Sequence, residues 1–353
     1  MNIKKRYAHL RSCARLGLNI LKCRLTRVYK PLVVLLHMTD KCNLRCKYCE
    51  GDWSGRRIKD FTTNEILRII DECKELGACH FVIHGGEILL RDDIGRIVDY
   101  MKGKDLYVDL VTNGALLPDK INEIRNVDSL CVSLDGREEN HDFIRGNGSW
   151  RAAMKAIDVA RAEGIKLSVH ATLTKRNFGD MKYLCEQARR MGYLQQFSLL
   201  LKPLKQFQDE LVLNDEEIKT VLREIIELKR KGYPVFTSYR VLKNALNWPF
   251  AFEKSRLDKN EIPRRSRLIR CFYGKLKLMI DADGFAYPCT SLNDVFKGLN
   301  VREHGVKKAY EHVLRNNDCE ACFYLTQNEW SLLLGGGMGQ FLNQAKIQVK
   351  RIF

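Results

Sequence analysis

The chain has no apolar run long enough to cross a bilayer. Stretches such as Leu32 to Leu36 and Leu332 to Leu334 fall far short of the ~20 residues a membrane helix needs. No basic-then-apolar leader with a small-residue cleavage site opens it, so the expected compartment is the cytoplasm. Internal repeats and low-complexity tracts are lacking. A hydrophobic content of 45% over 353 residues is enough for a sizeable core and excludes disorder as the dominant state. Acidic residues are missing from positions 1 to 30, which carry nine Lys or Arg, so about half of the +17 net charge sits in this arm. A second basic stretch runs from Arg256 to Lys277, but no basic strand face is interleaved with base-stacking aromatics, and nucleic acid is not an expected partner.

In the arm, Ile3, Tyr7, Leu10, Ala14, Leu18, Leu21, Leu25 and Val28 recur at spacings of three and four, one face of a helix whose other faces are mostly basic. That stripe can dock onto the protein's own body or lie on an anionic membrane surface. From Pro31 to about Pro203, short β-branched or apolar runs at 32–38, 79–84, 106–111, 129–134, 166–173 and 196–201 alternate with helical patterns. Six β-then-α units imply a parallel sheet, doubly wound or curled into a barrel. A further helix is expected over Asn214 to Lys231, followed by a less regular basic linker.

Strands buried on both faces should read as continuous apolar runs. Here Leu167, Val169, Ala171 and Leu173 alternate with Ser168, His170 and Thr172, and Leu130, Val132 and Leu134 alternate with Cys131, Ser133 and Asp135. His37, Thr39 and His84 take the same polar side. With helices on the apolar face, the polar face looks into a ligand chamber.

Thirteen cysteines, an odd count, make a poor disulfide framework and a plausible metal-binding set. The first strand runs into HMTDKCNLRCKYCEG, where Cys42, Cys46 and Cys49 form a C-x3-C-x2-C array. Three thiolates can hold an iron–sulfur cluster with one iron open, or zinc with His37 or Asp52 as a fourth ligand. Cys271, Cys289, Cys319 and Cys322 form a second set that can saturate a [4Fe-4S] cluster or a zinc ion, and IDADGFAYPC between them reads as a hairpin turning at Asp283 and Gly284. Cys13, Cys23, Cys73, Cys79 and Cys185 read as small buried hydrophobes.

The triad, with Tyr48 before its last cysteine, resembles the radical S-adenosylmethionine (SAM) superfamily. So do HGGEILL after the second strand, TNG at Thr112 to Gly114, SLDG at Ser133 to Gly136, and HDFIRGNGSW. Ile88 stands where that family usually has proline. The resemblance covers about Pro31 to Pro203 and implies a partial (β/α)6 barrel. It further implies a [4Fe-4S] cluster whose open iron chelates SAM, and reductive cleavage to a 5′-deoxyadenosyl radical that abstracts hydrogen. A reductant such as flavodoxin or ferredoxin follows as a partner. Around the cofactor the resemblance places Tyr48, Gly85, Gly86, Glu87, Ser133 and Arg145, the last at its carboxylate.

The second cysteine set resembles the twitch half of a SPASM extension. No cysteine follows Cys322, so one auxiliary [4Fe-4S] cluster is implied. The expected organisation is a basic helix at 1–30, the core at 31–235, a linker at 236–270, a small α+β twitch domain at 271–325 and a tail at 326–353. Cys131 is a candidate hydrogen-atom donor, and His170 and Lys202 are candidate substrate contacts. The short arm before the first strand leaves no room for a winged-helix peptide-recognition domain. The expected substrate is therefore a small molecule, a lipid or isoprenoid, sugar or phosphorylated metabolite, met at a membrane surface through the arm. A peptide-modifying maturase and a non-catalytic iron–sulfur or nucleic-acid-binding protein are the alternatives.

Overall fold

The structure is a computed structural model describing residues 3–49, 58–200, 209–264, 266–293 and 295–335. Asp52 and Lys202 lie outside the described residues. The arm forms α1 (Ile3–Thr26), and the core opens with β1 (Val33–His37), α2 (Thr63–Glu75), β2 (His80–His84) and α3 (Ile94–Gly103). It continues through β3 (Tyr107–Thr112), α4 (Leu117–Ile124), β4 (Ser129–Ser133), α5 (Glu138–Arg145) and α6 (Ser149–Ala162). Next come β5 (Leu167–Leu173), α7 (Met181–Met191), β6 (Leu194–Leu199), α8 (Asp215–Arg230) and α9 (Tyr239–Leu246). The remaining elements are β7 (Arg256–Asp258), β8 (Lys277–Ile280), β9 (Phe285–Tyr287), β10 (Leu299–Asn300), α10 (Val301–Asn316), β11 (Cys319–Cys322) and α11 (Leu325–Gly335).

Strands β1 to β6 pair in parallel in chain order, as six β-then-α units dictate. The alternation read from the sequence holds strand by strand. Val34, Leu36, Phe81, Ile83, Val108, Leu110, Leu130, Val132, Val169 and Ala171 pack into the core under the helices. Leu35, Val82, Asp109, Val111, Cys131, Ser168, His170 and Thr172 line one cavity on the opposite face, so the sheet curves around it. Helix α2 shows the local logic: Thr62 and Glu65 form a reciprocal capping box, and Ile66, Ile69, Ile70 and Cys73 recur at helical spacing on the buried side. Each such buried aliphatic side chain contributes about 1.5–3 kcal/mol.

The second cysteine region divides between two sheets, its first part joining the main sheet and Cys319 and Cys322 lying on β11 of a separate two-stranded sheet. Strand β8 pairs in parallel with β1, with Val33 opposite Lys277, and the β8–β9 hairpin with β10 extends the main sheet to nine strands. Gly284, at φ +93°, makes the expected turn. Helix α10 fastens this extension to α2 through Arg302 Nε on Glu65 at 3.0 Å and the Val306 N–H on Glu72 at 2.6 Å. Strand β11 pairs with β7, so the stretch expected as an irregular linker carries both α9 and a strand.

The arm docks, but by another face than the aliphatic stripe. Leu16, Ile20 and Cys23 pack with Leu32, Val33, Cys79, Leu276 and Leu334, and His9 is buried. Arg11 and Arg15 reach Asp105 at 3.1 and 2.8 Å. Leu10, Leu18, Leu21, Leu25 and Val28 of the expected stripe are exposed, Leu18 at 68% and Leu25 at 76%. Periodicity marks the more aliphatic face, whereas the underside of the sheet is partly polar and takes the face carrying His9, Ser12 and Cys13. Among the described residues no helix is long and apolar enough to cross a membrane.

Candidate active site

Cys42, Cys46 and Cys49 sit on the loop that leaves β1, held at its far end by the Lys47 N–H on the Ile144 carbonyl at 2.8 Å. N–H groups point at two of the sulfurs. The Leu44 N–H and Asn113 Nδ2 lie 3.4 and 3.9 Å from Cys42 Sγ, and Arg145 Nη1 lies 4.0 Å from Cys46 Sγ. Burial pushes Cys46 up to about 11; Arg145 opposes that shift, while Cys49 and Cys42 add to it. Thiols that press on one another in this way, with donors aimed at their sulfurs, fit a multivalent metal group.

Beside the loop, Arg145 donates through Nε to Asp135 Oδ2 at 2.6 Å and through Nη2 to Tyr48 Oη at 2.5 Å. Tyr48 in turn donates to Asp135 at 2.7 Å. Asp135 also accepts from the Thr172 N–H at 2.9 Å. Burial would raise the Asp135 carboxyl, but Arg145 more than offsets it and holds the group below its ordinary range. Arg145, expected at the cofactor carboxylate, is thus already ion-paired, and Tyr48 is its brace.

The Gly-Gly-Glu segment serves the same loop. A Cβ on Gly85 would stand 2.6 Å from the Thr39 carbonyl oxygen, and one on Gly86 2.5 Å from that of Lys41. The Gly86 and Glu87 N–H groups bond the Thr39 and Lys41 carbonyls at 2.7 and 2.8 Å. Both glycines are needed for the cluster loop to lie against β2. Glu87 is buried and accepts from Thr112 Oγ1 and the Asn113 N–H, both at 2.7 Å, tying β2 to the TNG turn. Ser133 pairs with His170 at the top of β4 but does not line the cavity.

The cavity, about 1160 Å³, runs from Tyr48 and Cys49 down to His9, Ser12, Cys13 and Leu16 of α1, which floors it. Cys131, His84 and His170 line its wall. Burial pushes the Cys131 thiol up to about 11, so it keeps its hydrogen. It lowers His170 to about 4 and His84 to about 3, so both imidazoles are neutral at physiological pH. His84 Nε2 is buried without a hydrogen-bond partner next to Gly85, an orphan polar atom facing the chamber. Sequence reasoning missed Lys277, Trp330, and the His80–Asp109 pair at 2.7 Å that occupies the chamber's lower part.

Cys271, Cys289 and Cys322 are buried, with Cys319 packed beside them and Tyr273 among them. Cys319 is pushed up chiefly by its hydrogen bond with Cys271, then by burial and by the charges of Cys271, Cys322 and Cys289, so the four thiols converge. A single tetrahedral zinc with ~2.3 Å bonds needs its sulfurs about 3.8 Å apart. Among the described residues, the group of three such side chains with donor atoms all within 4.8 Å is His37, Asp40 and Asp281; no three of the cysteines meet that spacing. His37, the suggested fourth zinc ligand, is committed through Nδ1 to Asp281 of the hairpin at 2.7 Å.

A parallel α/β sheet with a three-thiol loop on its first strand, above a polar chamber, defines a cluster-binding α/β protein. Residues 36–188 match the radical SAM superfamily, and the chain carries a radical SAM domain over that stretch. It is 29% identical over 208 residues to an AdoMet-dependent heme synthase of Methanosarcina barkeri (strain Fusaro / DSM 804), covering 57% of this chain and 60% of that protein. It is 27% identical over 174 residues to the PqqA peptide cyclase of Granulibacter bethesdensis (strain ATCC BAA-1260 / CGDNIH1), covering 48% and 46%. The chain therefore spans less than two thirds of these curated relatives. The fold matches Streptococcus suis SuiB bound to its precursor peptide SuiA with a TM-score of 0.66 at 14% identity, over 84% of this chain and 69% of that one. The radical SAM family uses a [4Fe-4S] cluster and SAM, and the cysteine sets described here fit that cluster and one auxiliary cluster.

Proposed function

We propose that the chain is a radical SAM enzyme that modifies a peptide. The observation carrying the radical SAM part is the triad loop braced by Asp135, Arg145 and Tyr48 at the mouth of a chamber lined by polar and apolar side chains. The sequence alone favoured a small-molecule substrate. The peptide reading gains support from the PqqA peptide cyclase, and from SuiB as a fold relative that holds a precursor peptide. A small molecule stays as the second reading because the heme synthase is a relative at comparable identity.

When bound, the cluster and SAM supply one-electron cleavage of a sulfonium and an oxidant that removes a hydrogen atom. Cys42, Cys46 and Cys49 would hold that group, and Cys271, Cys289, Cys319 and Cys322 the auxiliary one. Cys131, protonated and facing the chamber, is positioned to return a hydrogen atom to a substrate radical, and neutral His170 can hydrogen-bond the substrate. Lys202 remains a candidate substrate contact by its place in the sequence.

Anaerobic reconstitution should load about eight irons per chain, four to each cluster, and reduction with SAM should release 5′-deoxyadenosine. In fully deuterated cell extract, deuterium should enter the deoxyadenosine, and protease treatment of the extract should abolish that transfer. Transfer that survives proteolysis decides for the small molecule, and zinc without SAM cleavage removes the enzyme reading. If Cys131 returns a hydrogen atom, product made in deuterated water carries one solvent deuterium, and Cys131→Ala loses it. Unchanged incorporation in that variant rules the role out.

The exposed aliphatic face of α1, flanked by Lys22, Arg24, Arg27 and Lys30, supports peripheral attachment to an anionic membrane. Each cation near such a surface contributes about 1 kcal/mol. The chain should sediment with vesicles containing anionic lipid at low salt, and Leu18→Glu/Leu25→Glu should release it without altering iron content. Equal sedimentation of the variant would reject the attachment.

A further inference from the structure

Lys277 is 4% exposed, yet no carboxylate among the described residues lies within ion-pair distance of its Nζ. Its one hydrogen-bond partner is the Tyr273 hydroxyl at 3.2 Å. The rest of the ammonium faces aromatic surface, with the Trp330 and Tyr273 ring centroids 4.3 and 4.8 Å away. It lines the cavity, on the strand next to β1. Of the three acidic residues lining the chamber, Asp109 is engaged with His80 and Ser129 and Glu329 accepts from the Ser238 N–H, and neither these two nor Glu253 forms an ion pair with Lys277 among the described residues. Trp330 meets His80 edge-on at 5.1 Å, so amine, indole and the His80–Asp109 pair form one continuous wall. Burial lowers the ammonium to about 7, with Cys289 and Asp109 pulling the other way.

A buried cation with an incomplete donor set is costly, and a methionine would pack the same space without that cost. Cys289 and Asp109 supply negative charge nearby but no hydrogen bond to Nζ among the described residues, and a carboxylate at Nζ completes its donor set. We propose that Lys277, flanked by Trp330 and Tyr273, forms an anchoring subsite for a substrate carboxylate attached to an apolar or aromatic body. The two ammonium donors not given to Tyr273 receive the carboxylate while the rings and Leu35, Val82 and Leu333 of the same cavity take the body. The subsite rests on the chamber's being the substrate chamber. In a peptide the anchored group is an acidic side chain or the C-terminus; in a metabolite it is a free acid.

The test uses hexanoate as probe, hexanamide as its neutral counterpart, and the anaerobically reconstituted full chain. Hexanoate should bind saturably by calorimetry and change tryptophan emission, while hexanamide binds about tenfold more weakly or worse. Lys277→Met should weaken hexanoate by at least about tenfold with iron content and circular dichroism retained. Trp330→Phe should lose the emission change, which places the probe at Lys277. Equal binding of hexanoate and hexanamide, no saturable hexanoate binding, unweakened binding by Lys277→Met, or an emission change that survives Trp330→Phe would each overturn the subsite. If Lys277→Met fails to fold, the comparison of the two probes on the unaltered chain still decides. Binding needs neither SAM nor reduction. A chain that binds hexanoate but releases no deoxyadenosine fails only the radical reading, and one that releases deoxyadenosine but ignores hexanoate fails only the subsite.

Discussion

Replacing Asp135 with asparagine is expected to cost the folded chain about 3–5 kcal/mol, the range for removing one partner of a buried ion pair. Asp135 is fully buried, and Arg145 is 8% exposed. Arg145 Nε and the Thr172 N–H bond different oxygens of Asp135, so the amide keeps one of these bonds and sets its NH2 against the other donor, and it leaves the buried guanidinium without a counter-charge. The effect should extend to the metal site, because the same guanidinium lies 4.0 Å from Cys46 Sγ and is steadied by Tyr48. Denaturant midpoints measured anaerobically should fall, and less iron should be retained at the triad after reconstitution. Adding Arg145→Met to Asp135→Asn should recover part of the stability, since the orphan charge goes with it. Tyr48→Phe removes the hydroxyl that bonds both Asp135 and Arg145 and should cost about 1.5–3 kcal/mol. An Asp135→Asn chain that loses less stability than Tyr48→Phe would show that the ion pair does not hold the loop.

Most of the core could be read from the sequence because its physics is local. A parallel strand shows as a short run with period two, and its crossover helix as a period near 3.6. Those periods place Cys131, Ser168, His170 and Thr172 on the chamber side and their neighbours in the core, as the structure does. The cysteine sets were legible because thiolate spacing on a loop is itself chemical information. What stayed hidden depends on contacts between distant segments. Nothing local says that β8 joins β1, so Lys277 reads as one more cation in a basic stretch when it lies in the chamber wall. The arm failed for a related reason: its aliphatic stripe is the stronger pattern, but the docking face is chosen by the sheet's underside. Glu87 and Arg145 carry family motifs, yet each is first a partner of another residue here, Glu87 of Thr112 and Asn113, Arg145 of Asp135.

Lys277→Met should make the protein more stable, and the gain should depend on pH in one direction. The ammonium's pKa falls from about 10.4 in an unfolded chain to about 7 in the fold, with burial the largest cause. Between these values the unfolded chain binds more protons than the folded one, so stability rises with pH through that window. Below it both states are protonated and the penalty is constant, on the order of 4 kcal/mol. Methionine carries no such penalty. The variant should therefore melt several degrees above the parent at pH 7, and the gap should narrow as pH approaches 10, in scans of the metal-free chain, where no cluster charge stands beside Cys289. A gap that is absent at pH 7, or that does not narrow, would mean that Lys277 has a counter-charge in the folded protein. A stable variant that has lost the carboxylate probe would separate the two demands on this residue, because the unpaired charge that weakens the empty fold is the same charge that receives the ligand.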